Sequence, residues 1–272
     1  MNNNITVITT LYKTPPDKLK NLNQYKSFKL KIFEQEGSLF SKKKLQKILN
    51  RKFDYYYSKK NIGLPKSSNF LLDKVKSKYL LFTQADIKID QKSILNLKKI
   101  FDIDKKIIFV TPKIINKQYK LNKKRKKISF VKSIKAACMV CDVGKLKKIG
   151  FFDEDYFLYW EDIDLIKKIN ELNYKMVLAN NIFAKHDSSQ SSEQNFKTQF
   201  LRCSNYIYGE FVHDLKNKRL RLIKILRKFL QNFLLFFIDL IILNFRNSLL
   251  RIYNLIGILK FILYYIRLII FK

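Results

Sequence analysis

Short apolar runs rich in β-branched and aromatic residues alternate with helix-like segments over the first 111 residues, and this alternation constrains the fold most tightly. Ile5–Leu11, Phe28–Phe33, Phe53–Tyr57, Tyr79–Phe82 and Ile107–Thr111 have the length and composition of strands. Between them, Asp17–Tyr25, Lys42–Asn50, Ser67–Lys76 and Gln91–Phe101 have helical character. Strand and helix in turn, with short joints, predict an α/β chain built on a mostly parallel sheet. Ligands of such sheets bind beyond the carboxyl ends of the strands. Thr9, Thr10, Asn61, Gly63 and Asp86 fall there.

The second half reads less regularly. Residues 117–135 are Lys-rich and weakly periodic, which suggests an exposed loop or hairpin. Ile134–Val143 is a candidate strand, Lys145–Ile149 a short helix stopping at Gly150, and Asp162–Leu172 a helix with acids in its first turn. Met176–Phe183 is a strand that carries the chain to His186. From Arg219 the character changes: residues 219–272 hold ten Lys/Arg and one acid, Asp239, among Leu, Ile, Phe, Tyr and Asn. The longest uncharged run, Phe229–Ile238, is shorter than the ~20 apolar residues a bilayer span needs, and tolerating Asp239 extends it only to Phe245. Apolar runs punctuated by Arg246, Arg251, Lys260 and Arg267 fit helices lying in a membrane interface. The alternatives are an amphipathic pair packed on the domain or a second subunit, and a span over 229–245. The expected organisation is a domain over 1–215 and a helical membrane-associating region over 216–272.

The 55 Lys+Arg against 22 Asp+Glu point to anionic partners, either nucleic acid or a membrane surface. Heavy use of Lys, Asn, Ile, Phe and Tyr equally fits drift toward AT-rich codons. Cys138-Met-Val-Cys141 has CxxC spacing, but no second pair or nearby His completes a zinc site, so core packing is expected. Few, reduced thiols and an opening (Met1–Asn4) without a signal-peptide pattern suggest the cytosol.

Against this basic background, six carboxylates fall in the twelve residues from Asp153 to Asp164, mixed with aromatics. Carboxylates beside aromatics suit a partly buried site for a base, a metal or a sugar hydroxyl. Four elements follow one another: Val7-Ile8-Thr9-Thr10-Leu11-Tyr12; Asn61-x-Gly63 with Asn69; Asp86; and Gly150-Phe151-Phe152-Asp153-Glu154…Phe157-Leu158-Tyr159-Trp160-Glu161-Asp162-Ile163-Asp164, with His186, Ser188 and Ser189 downstream. This series resembles the family 2 inverting glycosyltransferases of GT-A fold, particularly the rhamnosyltransferase-like branch, over roughly residues 5–190.

The resemblance implies a nucleotide-diphosphate sugar as donor (dTDP-rhamnose-like or a UDP-sugar) and Mg²⁺ or Mn²⁺ as cofactor. It implies a hydroxyl acceptor on a glycan. Asp162 is then the base, with Glu161 orienting it or touching the acceptor. Asp86 and His186 are the implied metal residues, and Thr9, Thr10, Tyr12, Asn61, Gly63 and Asn69 the nucleotide-binding ones. Tyr159 and Trp160 would stack on the acceptor sugar, with core packing of at least one of them the equal alternative, and Asp164 would cap the following helix. Two positions depart from the family pattern: Gln84 replaces the first Asp of a D-x-D motif, and Gln35, between Glu34 and Glu36, replaces the Asp that holds the nucleobase. With the basic tail, the expectation is a peripheral enzyme on the cytoplasmic side of the inner membrane. It would use a lipid-linked acceptor for cell-surface polysaccharide, touch an anionic membrane surface and bind no nucleic acid. The rival readings are a catalytically silent GT-A-like scaffold subunit and a basic nucleic-acid-binding protein. The acidic cluster argues against the second.

Overall fold

The structure, a computed structural model, describes residues 4–115, 126–134, 136–187 and 191–271. Ser188, Ser189 and most of the Lys-rich stretch lie outside the described residues. The chain divides into two compact units. One comprises residues 1–153 and 162–193, the other 154–161 and 194–272. This division falls at 193/194, with the short segment 154–161 belonging to the second unit.

The first unit is built on a sheet. Its strands are β1 (Ile5–Tyr12), β2 (Lys29–Gln35), β3 (Asp54–Ser58), β4 (Tyr79–Thr83), β5 (Ile87–Lys88), β6 (Ile107–Ile115), β7 (Ile128–Val131), β8 (Cys138–Asp142) and β9 (Lys175–His186). Their order is β3-β2-β1-β4-β8-β6-β9-β5, with β7 also on β9. The β3-β2-β1-β4 half is parallel. The expectation of a mostly parallel sheet fails in the other half, where β8 runs antiparallel to both β4 and β6. A fully buried apolar strand reads the same in either direction, so composition did not reveal this reversal.

Alternation along β1 shows how the sheet is covered. Ile5, Val7 and Leu11 join one core with α2 (Leu39–Ile48) and α4 (Gln91–Lys99) through Leu45, Ile94 and Leu97. Ile8 joins the opposite core with α3 (Leu64–Asp73), α5 (Val143–Ile149) and α6 (Glu161–Glu171) through Leu71, Leu146 and Leu165. Helices begin where the sequence supplies caps: Ser38, Asp90 and Asp142 each accept a first-turn N–H. The expected helix over 17–25 is instead a short α1 (Pro16–Leu19) followed by a 3-10 segment, Lys20–Tyr25. Cys138 and Cys141 are fully buried free thiols, as core packing requires, and burial pushes Cys138 up to about 12.

The second unit is helical: α7 (Phe196–Lys216), α8 (Leu222–Ile241) and α9 (Phe245–Ile270). Asn195 opens α7 with a capping box, and Asn244 caps α9. The break at residues 242–244 removes a span over 229–245. Among the described residues, α9 is instead the helix long and apolar enough to cross a membrane, by length and composition. α7 and α9 approach closely at Gly257, where a Cβ would stand 2.4 Å from the Ser204 carbonyl oxygen. Gly257→Ala gains about 1 kcal/mol of helix propensity. With a Cβ this close to backbone, the cost falls toward the upper end of the roughly 1–3 kcal/mol that overpacking brings, so a net loss of up to about 2 kcal/mol is expected. A melting temperature at or above wild type would contradict this contact.

Candidate functional site

Asp86 follows β4 in the tight turn that leads into β5, two residues long and missed in the sequence reading. β5 pairs with β9 so that Ile87 faces His186, and Asp187 N–H donates to the Asp86 carbonyl at 3.1 Å. A hundred residues of intervening chain are thereby closed. His186 Nε2 lies 3.3 Å from Asp86 Oδ2, the carboxylate being fully buried. The turn is held by residues that sequence reasoning passed over. Asn21 Nδ2 donates to Ala85 O at 2.9 Å, and Gln24 donates to Ile87 O at 2.9 Å while accepting from Ile89 N at 2.8 Å. Lys18 pairs with Asp187 at 3.0 Å and, by that hydrogen bond, holds its carboxyl below the usual range. All three come from the segment expected to be plain helix. Glu193 N–H donates to Lys13 O at 2.9 Å, and Thr14 Oγ1 to Ser191 O at 2.8 Å, which returns the chain to the end of β1.

A second group gathers where β1 and β2 end and α3 begins. Gly63, the N-cap residue of α3, has φ +88°, and its N–H donates to Asn61 Oδ1 at 3.0 Å. That left-handed φ and the tight Asn-x-Gly turn explain the glycine. Gln35 is buried and braces the turn from both sides: Nε2 donates to Gly63 O at 2.7 Å and Oε1 accepts from Ile62 N at 2.9 Å. Ser67 Oγ lies 2.8 Å from Gly63 O and 3.3 Å from Thr10 Oγ1. Gln35 therefore supports the loop through an amide that both donates and accepts, which an ionised Asp cannot do. Glu34 accepts from the Tyr55 hydroxyl, and burial raises its pKa. Glu36 has φ +54° and lies 3.9 Å from Lys13 Nζ. Thr9 is fully buried, and its Oγ1 has no hydrogen-bond partner among the described residues. Tyr12 ends β1 opposite Gln35.

Asn69 reaches another part of the chain. Its Nδ2 donates to Phe152 O at 2.8 Å and its Oδ1 accepts from Phe152 N at 3.1 Å. Both ends of the amide clamp the Phe151-Phe152 turn, whose stacked rings pack edge-on against Phe82 of β4. The Phe151-Phe152 lead-in to the acidic segment is thus pinned to the core sheet.

α6 starts at Glu161, which is buried. Asp162 follows in its first turn, with Oδ1 accepting from Ile163 N–H at 2.9 Å. Burial raises the Asp162 pKa, partly opposed by that backbone bond. A carboxylate tuned upward by desolvation has gained basicity. Asp164 falls inside the first turn rather than at the cap position expected for it, because the helix begins three residues earlier.

Within the helical unit, Tyr159 and Trp160 have φ of +69° and +72°. Two successive bulky residues in the left-handed region are costly, about 1–2 kcal/mol each, and such strain persists where surroundings enforce it. Trp160 Nε1 donates to Tyr206 O at 2.9 Å, and its ring lies on His213 at 5.3 Å. Gly209 makes room, since a Cβ there would meet Trp160 Cδ1 at 2.8 Å. Trp160 is therefore a packed strut. His213, which the sequence left without a role, is part of its seat. Tyr159 meets Tyr206 edge-on at 5.8 Å.

No protein-family model matches the sequence. No curated protein matches it either. Solved structures do. The chain is similar to the mannosyltransferase PcManGT of Pyrobaculum calidifontis in complex with GDP-Man and Mn²⁺, with 12% identity and a TM-score of 0.58 over 78% of this chain and 64% of that one. It is similar to GalNAc-T7 with UDP, GalNAc and Mn²⁺, with 13% identity and a TM-score of 0.53 over 67% and 42%. It is similar to S. aureus TarS, with 15% identity and a TM-score of 0.52 over 73% and 39%. The chain spans less than two thirds of the length of each of these structures. At such identities the likeness establishes architecture: an α/β chain of the nucleotide-diphospho-sugar transferase (GT-A) fold with C-terminal helices.

Proposed function

We propose that this protein is a glycosyltransferase that moves a sugar from a nucleotide-diphosphate donor to an acceptor hydroxyl with inversion, in the manner of the rhamnosyltransferase-like branch of family 2. The observation that carries this reading is the Asp86–His186 pair at the carboxyl end of β4 on a GT-A fold. Solved neighbours of that fold hold GDP-Man, UDP or UDP-GlcNAc, two of them with Mn²⁺. A dTDP-rhamnose-like donor or a UDP-sugar fits the chain's own motif series.

The residues fit a divalent cation held jointly with the donor. Among the described residues there is no group of three or more His, Cys, Asp and Glu able to hold a metal alone. One buried carboxylate and one imidazole leave the remaining positions to oxygen ligands of the diphosphate, which hard Mg²⁺ or Mn²⁺ prefers. When bound, the cation offsets the charge of the departing diphosphate. The Asn61–Gly63 turn, braced by Gln35, leaves α3 without a side-chain cap, so first-turn N–H groups remain for the donor's phosphates. Thr9, Thr10 and Tyr12 line the strand end that meets base and ribose. Asp162 takes the proton of the acceptor hydroxyl as it attacks from the far side of the anomeric carbon, with Glu161 and Tyr159 beside it on the chain.

The acceptor is lipid-linked in this reading, and the helical unit supports it. α8 is turned inside out: its buried residues are Asn232 and Asp239. Lys224 and Lys228 turn to Glu210 of α7, and Asp239 pairs with Arg251 of α9 at 3.2 Å. Leu222, Leu226, Leu230, Leu234, Phe237 and Ile241 stand exposed at helical spacing. A helix that pairs its charges inward and shows its apolar stripe outward suits the cytoplasmic face of a lipid bilayer.

A thermal-shift screen of nucleotide sugars with and without Mn²⁺ tests the enzyme reading. One donor is expected to raise the melting temperature in a Mn²⁺-dependent way, and Asp86→Asn to abolish the metal-dependent part. No shift with any nucleotide sugar, or an unchanged shift in Asp86→Asn, would sink it.

A further inference from the structure

A cavity of about 940 Å³ opens at the edge of the sheet opposite Asp86 and His186. It lies where β1, β2 and β3 begin and α3 hands over to β4, lined by Thr6, Lys29, Lys31, Asp54, Lys74 and Ser77 among others. β1–β3 are parallel, so their amino ends share this edge while the turn carrying Gly63 and the end of β2 share the other. Donor chemistry at the carboxyl ends does not account for it.

The lining is unusual in charge even for this chain. Eight of its sixteen residues are Lys or Arg, against 55 of 272 overall, and Asp54 is the single acid. Asp54 pairs with Lys31. Among the described residues the other seven cations have no ion-pair partner. So many like charges around one concavity repel one another and concentrate anions. Arg51 adds fixed geometry. Its Nη2 donates to Phe28 O and its Nε to Lys52 O at 3.3 Å, while Nη1 is buried with no hydrogen-bond partner among the described residues. A guanidinium held by two carbonyls keeps its charge fixed at the wall of the cleft. The volume exceeds what a single phosphate fills and lies within the range of small-molecule sites.

We propose that this cleft at the amino ends of β1–β3 binds an anion carrying two or more adjacent phosphate groups. The phosphates belong either to a soluble oligophosphate or to clustered lipid head groups. Calorimetric titration of the full chain with tripolyphosphate in EDTA tests the site, since EDTA removes metal-dependent binding near Asp86. Saturable binding is expected, weakened at least tenfold by Lys29→Gln/Lys52→Gln/Lys76→Gln, three exposed positions whose replacement leaves the core untouched. Lys92→Gln/Lys99→Gln/Lys105→Gln has the same net charge and is expected to bind within twofold of wild type. Equal weakening in both variants, or no saturable binding, would overturn the proposal in favour of a diffuse field. A single-stranded oligonucleotide that displaces tripolyphosphate from the same cleft at a tenth of its concentration would overturn it in favour of nucleic acid. Once the site is established, flotation with phosphatidylglycerol vesicles separates the sources: binding lost in the cleft variant identifies lipid head groups, and binding retained identifies a soluble anion.

Discussion

Asp162→Asn is expected to abolish glycosyl transfer while leaving the protein folded and no less stable. Removal of a general base costs about 10²–10⁴-fold in turnover. The stability half follows from burial. The folded-state pKa of Asp162 lies above its ordinary 3.8 because desolvation disfavours the anion. The folded state therefore binds this proton more tightly than the unfolded state. Its contribution is most favourable below pH 3.8 and is lost as pH rises through the folded-state pKa. At neutral pH an uncharged amide of the same shape escapes that cost, so the variant's melting temperature should match or exceed wild type. The acid limb of the wild-type pH–rate profile should also sit above that of an ordinary carboxylate. Unchanged turnover in Asp162→Asn would remove Asp162 as the base. Lost donor binding together with lost transfer would show that it holds the donor instead. A silent scaffold would have no turnover to lose in the wild type.

Leu226→Gln/Leu230→Gln/Leu234→Gln is expected to release the protein from anionic vesicles. Each is exposed on α8, by 52%, 47% and 60%, so no packed core is disturbed. Gln keeps helix propensity and leaves the net charge alone, which isolates the apolar term. Burying a fully exposed Leu side chain contributes about 1.5–3 kcal/mol, and about half of each remains to be buried, so three should shift partitioning by roughly two to three orders of magnitude. Cosedimentation with phosphatidylglycerol vesicles reads this directly. Retained vesicle binding would show that the stripe is not the lipid-facing surface. Light scattering on the same samples would then show whether it had covered a second copy of the chain.

Local pattern carried the first half of the fold well. β1, β3 and β4 fall within about a residue of where periodicity placed them, because each is a short apolar or aromatic run bounded by turn residues. β5 escaped notice because two residues have no period. It exists only because β9 runs on to pair with it. The reversed β8 escaped for the related reason that direction is decided by connection rather than composition. At the site, Asp86, His186, Gly63 and Asp162 were legible as residue types in an order. The roles of Gln35 and Asn69 were not. Gln35 looked like a defective base-reading acid and proves to be a brace whose amide needs both a donor and an acceptor partner. Asn69, expected from the resemblance to meet the nucleotide, also clamps Phe152. Side-chain amides are interchangeable on paper, and only their surroundings assign them work.

The sequence alone determined most of the longer elements, since propensity, caps and apolar period are local properties. It also determined that scarce acids gather beside aromatics, and that the last fifty residues are basic and apolar. Only the tertiary structure decided that Asp86 and His186 meet, because their approach depends on a strand pair closing a hundred-residue loop. Only it decided that α8 faces its leucines outward, because Lys224 and Lys228 find their carboxylates on α7 and turn the helix accordingly.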